Sequence, residues 1–171
     1  MTFRYGHDWN IRLRQPVDEM DEVTARRRFE EGPQVCVSPT VEGGLAPSYA
    51  LILGPGGSHV RVRCLDANGS VVDVYDYSQV EGDQRLFLDN FTQYVYADEA
   101  QGPQRLSQSK AHKSWVFRQD GTATCRETVK GIEEARISEY RDLDVSGHWR
   151  DRPRWGEWDS FGLHPEPGAS A

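Results

Sequence analysis

The chain has 171 residues, of which 37% are hydrophobic and 11% aromatic, and its formal net charge is −7 at pH 7. This length and composition predict one globular domain over residues 1–163, and the Pro-, Gly- and Ala-containing end, residues 164–171, is expected to be disordered. The negative charge opposes sequence-independent binding to nucleic acid, which depends on clustered positive charge facing phosphates. No apolar run approaches the ~20 residues that span a bilayer, and the N-terminus shows no secretory pattern. We therefore expect a cytoplasmic protein with no nucleic-acid or membrane partner.

The chain is predicted to contain one substantial helix. Asp18 can cap a helix that runs to about Glu31, where a Gly-Pro pair stops it. Met20 and Val23 would share its apolar face, and Phe29 would lie away from them.

The rest of the pattern is typical of short strands joined by tight turns. Asn68-Gly69 and Asp120-Gly121 each separate two runs of alternating apolar and polar residues, which is a strong hairpin signal because these residues tolerate positive φ. We expect a mainly β (α+β) protein, an antiparallel meander of at least six strands that forms a curved sheet or a barrel. The further predicted strands are residues 9–14, 35–37, 48–53, 85–96 and 135–145.

Three cysteines, Cys36, Cys64 and Cys125, are odd in number and widely spaced. Each lies in an apolar, strand-like segment, which is typical of a buried thiol rather than of a disulfide or a metal ligand. The close-spaced Cys or His pairs of zinc sites, the Gly-rich loop that binds phosphates and the nucleophile elbow are all missing from the sequence. We therefore expect no metal, no cofactor and no catalytic residue that a motif identifies.

The C-terminal part concentrates aromatic residues, because three of the five tryptophans lie within residues 149–158. Two interpretations stay open. The rings could form an irregular tail that packs over an open face of the sheet. They could also serve as anchors in a protein interface, where Trp and Arg dominate the binding energy.

Several segments resemble small bacterial immunity-type proteins, which neutralise toxins of polymorphic or interbacterial systems. They are WVFRQDGT (115–122), DLDVS (142–146), HW (148–149) and PRWGEWDS (153–160). The resemblance implies a stoichiometric inhibitor that binds a cognate toxin domain and carries out no chemistry of its own.

Charge is compatible with such an inhibitor. An acidic protein associates faster with a basic partner because the opposite charges steer the encounter. A protein-binding surface is therefore predicted from one acidic segment and two tryptophans of the tail, namely Asp18, Glu19, Asp21, Glu22, Trp155 and Trp158.

The alternative is a small β-barrel enzyme, of cyclase or isomerase type, or a binder of an apolar small molecule. Such a barrel would enclose a cavity of ~300 Å³ or more, lined by rings and one or two polar groups. The pocket would form if both ends of the chain met at one mouth of the barrel, and its residues would be His7, Trp9, Trp115, His148 and Trp149. An oligomeric structural protein is a third possibility, because exposed strand edges can pair between subunits.

Overall fold

Twelve strands and two α-helices make up the described part of the chain, which comprises residues 2–41, 43, 46–97 and 102–162 of a computed structural model. The predicted disordered tail, residues 164–171, lies outside these residues. The strands are β1 (Phe3–Gly6), β2 (Asp8–Asn10), β3 (Gln15–Val17), β4 (Val35–Pro39), β5 (Tyr49–Leu53), β6 (His59–Leu65), β7 (Val71–Gln79), β8 (Leu86–Val95), β9 (Ala111–Phe117), β10 (Ala123–Val129), β11 (Arg136–Tyr140) and β12 (Trp149–Arg150). The helices are α1 (Glu22–Glu31) and α2 (Asp159–Gly162).

One antiparallel sheet contains ten of these strands. Its order is β1-β4-β5-β6-β7-β8-β9-β10-β11, with β12 paired to β8, and β2 pairs with β3 in a separate hairpin. Strands β1 and β11 stand at the two ends of this order, so the described strands do not close into a barrel. The predicted antiparallel meander is therefore confirmed, in the form of a curved open sheet.

Both predicted hairpins are present. In the β6–β7 turn, Asp66 Oδ1 accepts hydrogen bonds from the N–H groups of Asn68 (2.9 Å) and Ser70 (2.8 Å). In the β9–β10 turn, Gly121 has φ +78, and a Cβ there would lie 2.8 Å from the Leu143 carbonyl oxygen. Both turns are fixed by local hydrogen bonds and by glycine, and for this reason the sequence reveals them.

The N-terminal strand prediction is wrong in its extent. β2 ends at Asn10, whose side chain accepts a hydrogen bond from the Leu13 N–H at 3.0 Å. The chain then turns through Arg14, with φ +52, and β3 begins at Gln15. The alternation over residues 9–14 predicted one strand, but an Asx-type turn interrupts it.

The helix begins later than predicted, and a different residue caps it. Asp21, not Asp18, is the N-cap, and its Oδ1 accepts a hydrogen bond from the Thr24 N–H at 2.7 Å. Asp18 adopts φ +49 in the preceding turn. The backbone N–H of Met20 donates to the Tyr5 carbonyl at 3.0 Å, which keeps residue 20 outside the helix.

The apolar face of α1 also differs from the prediction. Ala25 and Phe29 are its buried residues, whereas Val23 is 80% exposed. Phe29 packs against Trp155 and Trp158, with ring centroids 5.7 and 5.8 Å apart. The apolar partner of the helix thus comes from the far end of the chain, so helical periodicity alone did not reveal it.

Residues on the two faces of the sheet enter two separate clusters. The core face carries the larger cluster, in which the paired positions Leu51, Val62, Tyr75 and Phe91 run across four strands. The β2–β3 hairpin covers part of the opposite face. There the Trp9 ring packs in a smaller cluster with Cys36, Ala50, Ile52, Leu65 and Val71.

The C-terminal tail is part of the fold up to Gly162. Trp158 and Phe161 are each 1% exposed, and Asp159 Oδ1 accepts a hydrogen bond from the Tyr49 hydroxyl at 3.0 Å. A Cβ at Gly162 would lie 2.2 Å from the Tyr49 ring, so only glycine fits at this position. The predicted strand over residues 135–145 is shorter, since β11 ends at Tyr140.

Removing the Trp158 ring should destabilise the whole domain. We expect Trp158→Ala to lower the free energy of unfolding by ~3–5 kcal/mol, because it leaves a large cavity between α1 and the sheet. Urea denaturation followed by circular dichroism measures the change. Val23→Ala is the matched control, with an expected change within ~0.5 kcal/mol. Unchanged stability of Trp158→Ala would contradict the docked tail.

Buried thiols should make stability depend on alkaline pH. Cys36, Cys64 and Cys125 are all free, and burial raises the pKa of Cys36 and of Cys64 to about 12. An unfolded chain loses these protons near the ordinary thiol pKa, whereas the folded chain keeps them. The free energy of unfolding should therefore fall as pH rises from about 9 toward about 12.

Tyrosines contribute to the same dependence on alkaline pH. Comparing wild type with the variant Cys36→Ala in reducing buffer isolates the contribution of the thiol. We expect the variant to lose less stability than wild type between about pH 8 and about pH 10.5. Thiol labelling of the native protein at pH 8 should be slow and become complete in denaturant. A variant with the same alkaline slope as wild type would show that Cys36 does not contribute.

Candidate functional site

The acidic segment predicted to bind a partner lies beside β1, where its side chains also make contacts within the chain. Glu19 accepts two hydrogen bonds from the Arg4 guanidinium, both 2.8 Å, and these bonds lower the pKa of Glu19. Asp21 caps α1, and the hydrogen bonds from Thr24 lower its pKa. These two carboxylates are thus engaged in holding the segment before α1.

Trp155 contacts this segment, although it lies 133 positions after Glu22 in the sequence. Its Nε1 donates to Glu22 Oε1 at 3.3 Å, and its ring stacks on Tyr5 with centroids 5.4 Å apart. We call Asp18, Glu19, Asp21, Glu22 and Trp155 the acidic surface. Trp158, the sixth predicted residue, lies beneath it and packs edge-on against Trp155 at 5.2 Å. A ring that is 1% exposed packs the core, and this geometry corrects its predicted role as an anchor for a partner.

The alternative pocket is divided between two parts of the molecule. His7 Nδ1 lies 3.0 Å from Arg28 Nη2 at the β1 end of the sheet, and Trp9 is buried on the face opposite α1. Trp115, His148 and Trp149 lie around β8 and β9 instead. The two ends of the chain meet through Tyr5 and Trp155, so the five residues do not line one cavity.

Trp115, His148 and Trp149 do belong to one continuous strip of rings, together with two phenylalanines. Neighbouring centroids are 5.8 Å apart for Trp115–Phe117, 4.5 Å for Phe117–His148, 5.7 Å for His148–Phe87 and 5.0 Å for Phe87–Trp149. Burial lowers the pKa of His148, which favours the neutral imidazole. Two flanking phenylalanine rings pack against this imidazole, which makes it an aromatic packing element.

The last three strands of the sheet form a surface that the sequence did not single out. Ile137 on β11 is 64% exposed. It aligns across the sheet with Arg126 on β10 and Ser114 on β9. Val116, two residues after Ser114, therefore lies on the same face of the sheet as Ile137. Among the described strands, β11 pairs only with β10. We call this region the β9–β11 surface. Its exposed large apolar side chains are Val116, Val129, Ile132, Ile137 and Tyr140.

The two ends of the sheet are unequal. At the first end, Met20 forms a bridge with Tyr5 and Arg4 pairs with Glu19, so the outer side of β1 is partly covered. At the other end, the outer side of β11 has no paired strand in the described chain. An exposed strand edge presents unpaired N–H and C=O groups that can pair with another chain. Alternation predicted these strands, but it did not predict which edge would stay open.

Two surface depressions are large enough for a small ligand. One, of about 470 Å³, is lined by polar groups of the β6–β7 turn and of β8, among them Asp66, Asn68 and Tyr94. The other, of about 480 Å³, lies where β12 meets β8, and Arg85, Arg150 and Arg152 line it. The sheet is open, so neither is the barrel lumen that the alternative function requires. No group of three or more potential metal ligands occurs among the residues that the structure describes.

The described helices include none that is long and apolar enough to cross a membrane. Comparison with protein-family models, with curated proteins and with solved structures finds no match to this chain.

Proposed function

We propose that this protein works by binding another protein, as an immunity-type inhibitor that neutralises a cognate toxin domain in a stoichiometric complex. The observation that carries the proposal is the β9–β11 surface, where an open strand edge and exposed apolar side chains occur together. The resemblance of residues 115–122, 142–146, 148–149 and 153–160 to immunity-type proteins supports the same function.

An open edge and apolar neighbours supply complementary parts of a protein interface. Backbone groups along β11 can accept a strand of the partner, which gives affinity through main-chain hydrogen bonds. Ile137 on one face and Tyr140 on the other can then enter pockets of the partner and give specificity. A stable interface buries ~800 Å² per partner, an area that requires neighbouring strands as well as β11.

Charge favours a basic partner. The chain carries a net charge of −7, and the acidic surface presents carboxylates beside the N-terminal end of α1. Long-range attraction of this kind raises the rate of association more than it slows dissociation. We therefore assign the encounter with the toxin domain to the acidic charge and the stable contact to the β9–β11 surface.

The alternative of an enzyme or a binder of an apolar molecule receives less support from the geometry. Its five residues fall in two regions, and the core-face rings pack against one another and against the tail. His148 has a lowered pKa and could accept a proton, but Phe87 and Phe117 pack against its ring.

A charge placed on the open edge should disrupt the complex without affecting the fold. We expect Ile137→Glu to weaken binding to a cognate toxin domain by ~2 kcal/mol or more, about 30-fold, because it puts a carboxylate into an apolar pocket of the partner. Leu13→Glu is the matched control, since Leu13 is 60% exposed on the β2–β3 turn, far along the chain from β11. Calorimetry on purified proteins and rescue of cells on co-expression measure the effect.

A second variant separates the two surfaces. Asp18→Lys combined with Glu22→Lys should slow association and reduce its salt dependence, while dissociation stays close to wild type. If this double variant abolishes binding and Ile137→Glu binds normally, the acidic surface is the binding site. If wild-type protein binds no toxin domain, the inhibitor function itself is wrong.

A further inference from the structure

Three arginine side chains converge at the point where the tail rejoins the sheet. The pairing of Arg150 with Leu86 places β12 alongside the start of β8, next to Arg85. Arg152 follows two residues later, and the three line one depression of about 480 Å³. Trp149 and Phe161 form apolar walls, and Ser146 and Ser160 supply hydroxyl groups.

One of the three guanidinium groups is already held in place. Arg85 donates to both carboxylate oxygens of Asp83, at 2.9 and 3.2 Å, and lies 4.6 Å from the centre of the Trp149 ring. This pairing and stacking fix its plane at the edge of the depression. The Arg85 side chain is therefore an ordered part of the lining rather than a mobile surface charge.

The other two arginines differ from the arginines of this protein that pair with a carboxylate. Arg4, Arg61 and Arg63 each pair with a carboxylate at 2.7–2.8 Å. In the described part of the chain, no ion pair is formed by Arg150 or Arg152, and the Nε of each is buried without a protein acceptor. Arg150 does contact the Tyr77 hydroxyl, which is neutral.

A buried N–H group of a cation that lacks an acceptor is costly, so such groups normally bind water or an anion. The lining of the depression has three guanidinium groups against two carboxylates, Asp151 and Glu157, and Asp83, just outside the lining, pairs with Arg85. The whole chain carries −7. The charges in and beside this depression thus balance on an acidic protein, and Arg150 and Arg152, which form no ion pair among the described residues, give an oxyanion an electrostatic advantage over water there.

We propose that this depression binds the oxyanion group of a small molecule, a phosphate or a carboxylate, between Arg150 and Arg152. The planar donors of a guanidinium match both groups, which can each accept two parallel hydrogen bonds. Trp149, which is half-buried, would then contact an apolar part of the same ligand. The site is separate from the β9–β11 surface and does not depend on the proposed inhibitor function.

Arginine Nε–H resonances of the intact protein test this site directly. Titration with inorganic phosphate, at constant ionic strength against chloride, should shift the Nε–H signals of Arg150 and Arg152 along a saturable curve. Acetate, phenyl phosphate and phenylacetate form the other arms. A phosphate-selective site responds at least tenfold more tightly to the phosphates, and a carboxylate site to the acetates. Tighter binding of the phenyl compounds would support the apolar walls.

Matched variants decide whether the arginines carry the binding. We expect Arg152→Gln to weaken the best ligand at least tenfold, whereas Arg154→Gln, an exposed arginine outside the lining, leaves it unchanged. Glu157→Gln should tighten binding, because it removes a competing carboxylate, and this result does not depend on a destabilised fold. Signals that shift alike in chloride and in every oxyanion, or equal losses in Arg152→Gln and Arg154→Gln, would overturn the proposal.

Discussion

The fold depends on the aromatic contact between the two ends of the chain. Phe29 of α1 meets the Trp155 and Trp158 rings at 5.7 and 5.8 Å, and Trp155 stacks on Tyr5 of β1 at 5.4 Å. Helix α1 buries only Ala25 and Phe29, so it has little apolar surface of its own to hold it on the sheet. Because the tail supplies that surface, α1, β1 and the C-terminal segment are stabilised together.

The aromatic contact between the two chain ends also determines which part of the sheet stays exposed. Helix α1 and the tail pack on strands β1 and β4–β8, where the buried side chains of the core face are concentrated. Beyond β8, Trp115 and Phe117 lie on the core face, and Ile137 and Val116 on the other face stay exposed. An open edge at β11 follows from the same geometry, since the tail returns to β8 rather than to the end of the sheet.

The same tail contributes to one surface rich in carboxylates and to another lined by guanidinium groups. Trp155 borders the acidic surface through its hydrogen bond to Glu22. A few residues earlier, Arg150 and Arg152 line the arginine depression beside β8. Both surfaces are therefore assembled from residues far apart in sequence. We propose a basic partner for the first surface and a small oxyanion for the second, and the two would then bind at separate places.

Sequence by itself determined the features that local interactions fix. The turns at Asn68-Gly69 and Asp120-Gly121 need positive φ and short-range hydrogen bonds, so both hairpins and the antiparallel meander were predictable. The sequence predicted Asp18 as the cap of α1, and the bridge between Tyr5 and Met20, a tertiary contact, moved the cap to Asp21.

Only the tertiary structure decided which side chains are buried and which distant residues come together. Trp158 became core while Ile137 stayed exposed, because burial depends on which distant segment covers a side chain. The arginine depression escaped sequence reasoning for the same reason, since only the pairing of β12 with β8 brings Arg85 to Arg150. Alternation specifies that a residue faces one side of a sheet, but the packing of the whole chain specifies what lies on that side.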